Sequence, residues 1–450
     1  MPELPVTALV NLGCPKNQVD AEQLLQLLTE AGFPLTTDQA AAEVIIVNTC
    51  AFIQPAVEES LEAILEAAGH KETGACRCLV VMGCLPPRYR QRLAVEIPEI
   101  DLLVATSAFT RLPAILKQWH RGGPVEKFHL EPPAYRETGL LPQLTCQSFS
   151  AYLKIAEGCD NRCAYCLIPS LRGKQVSFPP ALLAEKAAAM AAAGVRELNL
   201  VAQDLTAYGR DLPGQPTLAQ LLRRLLAIEE LAWLRLLYAY PGKISDELVE
   251  LLAGEEKLCP YLDLPIQHIS ATVLRRMQRH DPPAKIRAVI ERLRSLPRTV
   301  HLRSTVIVGF PGETEADFRQ LLDFVAEGHF TYLGCFAYWP EPGTPAASLA
   351  DQVPEQVKFE RYQQIIDCQR QVTRRHLQVY RQREIPLLVE GKSPETELLL
   401  QARAPFQAPE IDGVTYVTEG FAQPGTILTG RIDEIHDYDL FASLEPAARP

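Results

Sequence analysis

The sequence has little of what a secreted or membrane-bound chain needs. None of its 450 residues belongs to a stretch approaching the roughly 18 consecutive apolar residues of a membrane span. The first ten, MPELPVTALV, lack the basic start and long apolar core of a secretory signal. Both absences predict a cytoplasmic protein. Positive charge is also in short supply: 44 Lys and Arg stand against 55 Asp and Glu, a net charge of −11. Non-specific attraction to nucleic acid or an anionic membrane is thereby disfavoured, since both demand Lys and Arg as counter-charge. Cysteine is sparse, 12 in all, which excludes a small disulfide scaffold. In a reducing compartment, patterned thiols are more often metal ligands or nucleophiles.

What is present is enough apolar residue, 47%, for several cores, and a length of about three average domains. Three textures follow one another. From residue 7 to about 110, β-like runs (ALVNLG, EVIIVNT, CLVVMG, DLLVAT) alternate with helical ones, which predicts βαβ units around a parallel sheet. Gly32 and Gly69 stand where helix C-caps are expected. A proline-containing stretch without steady period reads as a linker over 136–149. A second series, 150–375, carries six β-like runs separated by helical stretches. Its periodicity fits an open barrel of the TIM kind or a doubly wound sheet and does not choose between them. After a long charged helix over 355–383, short β-like runs at 380–448 predict a small antiparallel β-barrel. Residues 381–450 hold six Lys and Arg against twelve Asp and Glu, net −6, the wrong sign for holding nucleic acid.

The strongest motif is EGCDNRCAYC. Cys159, Cys163 and Cys166 put three thiols on one tight loop after a strand, enough for three corners of a cubic iron–sulfur cluster with the fourth iron open to a ligand. Structural zinc prefers four protein ligands, and ferredoxin clusters use four cysteines at other spacings. A second grouping is less local. Cys14, Cys50 and Cys84 each close a β-like run, ALVNLGC, EVIIVNTC and CLVVMGC. In a parallel α/β sheet all strands end on one edge, so three such residues converge in space. A cysteine at a strand end is often just a small buried apolar residue, and Cys76 and Cys78, out of phase with the three, read that way.

The CxxxCxxC loop on the first strand of a six-fold β/α series, with Tyr165 before its last cysteine, resembles the radical S-adenosylmethionine enzymes. That resemblance implies that Cys159, Cys163 and Cys166 ligate a [4Fe-4S] cluster whose open iron binds S-adenosylmethionine. It places Tyr165 near the adenine and implies an open TIM-like (β/α)6 barrel. VIVGFPGET, with Gly309 and Gly312, resembles the cofactor-contact segment of these enzymes. Asp204, at the end of the second strand, and Arg172, just after the cluster loop, are further candidates for cofactor or substrate contact. His268 reads as a structural histidine.

Three distant cysteines in one domain, CxxxCxxC in the next, and a terminal barrel of the TRAM, OB-like type are together similar to the methylthiotransferases of that superfamily. The resemblance covers nearly the whole chain, giving an amino-terminal domain at 1–135. It implies that Cys14, Cys50 and Cys84 hold an auxiliary [4Fe-4S] cluster at which sulfur is delivered, with S-adenosylmethionine both radical source and methyl donor. Stretches such as NLGCPKNQVDAE, YLDLPIQHIS and PSLRG resemble the branch acting on the β-carbon of an aspartate in small-subunit ribosomal protein S-twelve. The alternative branch modifies C2 of a transfer-RNA adenosine. The acidic barrel favours the first, because a basic ribosomal protein suits its charge and RNA does not. The expected partners are that protein, a low-potential electron donor such as flavodoxin or ferredoxin, and a sulfur source. Neither a membrane nor a nucleic-acid substrate is expected.

Overall fold

The computed structural model of the chain describes residues 3–132 and 149–444, so the linker expected at 136–149 lies outside the described residues except for Phe149. The first sheet has six parallel strands in the order Leu35–Thr36, Thr7–Asn11, Val44–Thr49, Cys78–Gly83, Leu102–Ala105, Phe128–His129. Every residue of Val44–Thr49 and Cys78–Gly83 is buried, as expected of parallel strands covered on both faces. Strand order reverses between Thr7–Asn11 and Val44–Thr49. At such a switch point the loops leave in opposite directions and open a crevice beyond the strands' carboxyl ends.

Gly32 follows the helix Pro15–Glu30 with φ +88°, the left-handed C-cap position expected of it. Gly69 does not end its helix, which continues over Gln54–Thr73. The extra turn carries His70 and Lys71, which favour the negative end of the helix dipole, and Lys71 also pairs with Asp101 at 2.6 Å.

The second sheet contains Ser150–Lys154, Glu197–Val201, Trp233–Leu236, Leu258–Asp263, His301–Val308 and Tyr332–Ala337, all parallel and in strict sequence order. No reversal occurs, and the first and last strands lie at opposite edges. This is the open six-stranded (β/α) barrel and not the doubly wound alternative. The helix Glu355–Gln378 packs along its last strand and reaches the terminal barrel.

Five strands form that closed barrel: Glu384–Lys392, Leu400–Arg403, Thr415–Glu419, Ile427–His436 and Asp439–Leu444. The expected all-antiparallel arrangement is broken at one seam, where Thr415–Glu419 and Asp439–Leu444 run parallel. A ring with an odd number of strands cannot alternate direction all the way round, so one parallel pair is unavoidable. The barrel docks where the strands of the second sheet begin. Arg403 is buried there between Glu390 at 2.6 Å and Glu197, the first residue of its strand. His301, also first in its strand, stacks on Phe406 at 4.3 Å. The carboxyl ends, opposite the barrel, are left for the cysteine loops.

Candidate functional site

Cys14 directly precedes the helix Pro15–Glu30, Cys50 follows Val44–Thr49, and Cys84 follows Cys78–Gly83, so all three leave one edge of the first sheet, two of them at the switch point. Glycine permits the close approach. Gly13 has φ +93°, and a Cβ on it would lie 2.7 Å from Cys50 Cβ; Gly83 has φ +101°, and a Cβ on it would lie 2.4 Å from the Thr49 carbonyl oxygen. Any other residue would be strained and would push a cysteine loop away. Side chains tie the loops further. Asn17 Nδ2 donates to the carbonyls of Leu12 (3.1 Å) and Thr49 (3.0 Å), Ser60 Oγ to that of Cys50 (2.9 Å), and Thr49 Oγ1 to that of Met82 (2.6 Å).

Held this way, the three sulfurs interact. Burial first, then the charges of Cys84 and Cys14, push the Cys50 thiol up to about 12. Burial also raises Cys84, with the Arg172 guanidinium opposing. Such thiols give up their protons to bound metal, and three of them on three converging loops fit three corners of an iron–sulfur cluster. Among the described residues no group of Cys, His, Asp and Glu is tight enough for a single ion; a cubane spreads its ligands over four irons. Cys78 belongs instead to the apolar core beside Val44 and Leu102 and is fully buried, and Cys76 is likewise buried.

The second group lies on the loop after Ser150–Lys154. The Cys159 N–H donates to the Gly173 carbonyl at 3.0 Å, and the Cys166 N–H to that of Cys163 at 3.1 Å, so the loop folds back on itself. Burial lifts Cys159 to about 11 and Cys166 to about 12, and Cys163 adds to both. This donor set fits a second cluster on the same grounds. Tyr165 lies against Arg279, whose Nη1 is 3.4 Å from its hydroxyl. Asp204 is buried, not a surface carboxylate: it accepts from Asn161 within the cysteine loop (2.7 Å), from Lys243 (2.5 Å) and from Thr206 (2.7 Å), and so braces that loop.

The remaining candidates sit differently. His268 is buried, its Nδ1 accepts from the Ser270 N–H at 2.9 Å, and burial lowers it to about 3, as befits a neutral structural histidine. The space beside Gly309 is filled by the Lys358 side chain and that beside Gly312 by the Arg276 guanidinium, so each glycine has a packing reason of its own. Arg172 points toward the first domain, where its Nη1 meets Asp20 (3.1 Å), its Nη2 Asn17, and its Nε the Cys84 sulfur at 3.4 Å, while Nη1 also meets Glu157 (3.0 Å) of its own domain.

Lys154 completes this buried group by pairing with Asp20 and, at 2.8 Å, with Glu157. Burial favours the neutral form of Glu157, yet Arg172 and Lys154 outweigh it and hold the carboxyl below its usual range. Asp20 and Glu157 stand inside NLGCPKNQVDAE and EGCDNRCAYC without any role that the motifs themselves suggest, and Lys154 lies outside both. A lysine inside the strand AYLKIAE was the available signal, because a buried lysine needs a carboxylate partner. On the far side of the barrel mouth Arg88 of the first domain pairs with Glu341, both buried. The first domain thus grips both rims of the open barrel. Beside the Arg88–Glu341 grip lies a largely apolar cavity of about 570 Å³, lined by Phe52–Pro55 just beyond Cys50, by Tyr165 beside Cys166, and by Gln267, Ile307, Trp339 and Glu341 itself.

Family models match three parts of this arrangement: residues 7–105 match the uncharacterized protein family UPF0004, 153–325 the radical SAM superfamily, and 383–444 the TRAM domain. A protein of Trichlorobacter lovleyi called ribosomal protein uS12 methylthiotransferase RimO is 50% identical over 439 residues, 97% of each chain. One of the same name from Geobacter sulfurreducens is 47% identical over 437 residues, 97% of this chain and 98% of its own. The chain belongs to this methylthiotransferase family. It is a radical S-adenosylmethionine enzyme and, as such, uses an iron–sulfur cluster with S-adenosylmethionine. A solved structure of the radical S-adenosylmethionine methyltransferase TsrM from Kitasatospora setae has a TM-score of 0.57 at 16% identity, covering 76% of this chain and 77% of that one, a likeness of fold alone.

Proposed function

We propose that this chain methylthiolates the β-carbon of an aspartate in small-subunit ribosomal protein uS12. Cys159, Cys163 and Cys166 would hold the cluster that activates S-adenosylmethionine, and Cys14, Cys50 and Cys84 an auxiliary [4Fe-4S] cluster where sulfur is delivered. The observation that carries the reading is a cavity lined by residues beside both cysteine groups, with Phe52–Pro55 after Cys50 on one wall and Tyr165 before Cys166 on another. A β-carbon hydrogen is too weakly acidic for any side-chain base working near neutral pH. The cofactors supply radical and sulfur chemistry; the protein supplies placement and dryness.

The chain's own residues account for that placement. Arg88–Glu341 on one rim and Asp20–Lys154 on the other fix the first domain over the mouth, and Asp204 with Asn161 and Lys243 holds the loop of Cys159 in shape. The substrate in the relatives' names and the acidic terminal barrel both support a basic protein partner over RNA. An external low-potential donor, flavodoxin or ferredoxin, and an external sulfur source complete the requirement. The test is mass spectrometry of uS12 and of hydrolysed transfer RNA from a strain lacking the gene. The methylthio group should vanish from the aspartate of uS12 while the RNA is unchanged; loss of methylthioadenosine with uS12 unaltered would overturn the proposal.

A further inference from the structure

We infer that Arg172 is a positioning residue for the auxiliary centre: it donates a hydrogen bond from the radical domain to the Cys84 ligand in the neighbouring domain and so raises that centre's reduction potential. The inference rests on the reading that Cys14, Cys50 and Cys84 hold a cluster.

Three features of the geometry point to it. Arg172 ends the short helix Ile168–Arg172, immediately beyond the loop of Cys159, Cys163 and Cys166, and only 3% of it is exposed. Its guanidinium is a planar fork with every edge assigned: Nη1 to Asp20 and Glu157, Nη2 to Asn17 Oδ1, and Nε to Cys84 Sγ at 3.4 Å. With the other edges engaged, the Nε–H has no freedom to turn away from the sulfur. Asp20 and Glu157 are matched by Arg172 and Lys154, and Lys16, also buried, lies within electrostatic reach of Cys14, Arg172 and Glu157. What sets Arg172 apart is therefore its oriented donor on the Cys84 sulfur and not its charge alone. Hydrogen bonds to cluster sulfurs stabilise the added negative charge of the reduced state, and with it raise the potential.

A purely structural role for Arg172, as a clasp between domains, predicts something different, and a redox titration separates the two. The full chain carrying Cys159→Ala, Cys163→Ala and Cys166→Ala is reconstituted with iron and sulfide, so that only the auxiliary centre loads, and its midpoint is followed by electron paramagnetic resonance. Into this parent go Arg172→Gln/Glu157→Gln, which removes one charge of each sign together with the donor, and Lys154→Gln/Glu157→Gln, which removes the same charges but leaves the Nε–H in place. The first should lower the equilibrium constant for reduction about tenfold, about 59 mV for one electron. The second should leave it unmoved. Equal shifts in the two, or none in either, overturn the inference.

If the first variant does not fold, Arg172→Lys carries the test, because it keeps the charge and loses the planar fork. A lowered midpoint there supports the inference and an unchanged one overturns it. A parent that takes up no iron sinks the auxiliary-site reading itself, an outcome distinct from a loaded parent whose potential ignores Arg172.

Discussion

Cys78 and Cys84 stand at the two ends of one buried strand, and the structure gives them opposite fates under mutation. Cys78→Ala removes one sulfur from a fully buried apolar site beside Val44 and Leu102. Deleting one heavy atom from a packed core costs about 1 kcal/mol, and nothing else at the site depends on it. Cys84→Ala removes a sulfur that lies within electrostatic reach of Cys14 and Cys50 and accepts from Arg172. Two cubane clusters hold about eight irons. After anaerobic reconstitution, Cys78→Ala should keep about eight per chain with a slightly lowered urea midpoint, and Cys84→Ala should fall to about four. A centre lost in Cys78→Ala and kept in Cys84→Ala would refute the assignment. Equal losses in both would show that iron uptake tracks the strand's stability and not its ligand.

Two further outcomes follow from the docked barrel. Arg403→Met strands Glu197 and Glu390, of which the first keeps Arg235 at 2.8 Å and the second Gln401 at 2.9 Å; breaking a buried pair of this kind costs about 3–5 kcal/mol, read as early urea unfolding and hydrogen exchange of the barrel strands, and a loss below about 1 kcal/mol would contradict the buried pairing. His301 is lowered to about 3, by burial first and then by His376, so the native state binds fewer protons than the unfolded one; its contribution is complete above the ordinary histidine range and is lost as pH falls through that range toward 3. On moving from pH 7 to 5 that histidine alone costs about 2 kcal/mol. His301→Gln should be spared that share in paired denaturation curves, and an unchanged pH loss in the variant would refute it.

Much of this was legible in the chain because it depends on spacing along it. The strand-ending cysteines share one phase, and a parallel sheet carries that phase to one edge. The glycines in NLGC and VMGC were visible as residues, but their reason was not: it is the 2.7 Å and 2.4 Å approaches to Cys50 and Thr49, contacts between loops more than thirty residues apart. The choice between open barrel and doubly wound sheet needed strand order, which periodicity does not hold. Gly69 misled because glycine marks a helix end only where the following residues cannot continue the helix, and here His70, Lys71, Glu72 and Thr73 do.

The network of Asp20, Lys154, Glu157 and Arg172 was illegible for a further reason. Lys154 inside a strand signals only that some carboxylate must pair with it, and Arg172 stands out after the cysteine loop, but nothing along the chain says that Asp20 and Glu157 are the partners of both. Their meaning comes from being buried together, since four charges removed from water at one place must neutralise one another or destabilise the fold. That requirement also ties the two cysteine groups mechanically. Arg172 follows directly on the loop of Cys166 and is fixed through Asn17 and Asp20 to the helix that begins after Cys14. A displacement of either loop would break a buried charge pair, so the separation between the two sites is held by electrostatics that neither domain possesses alone.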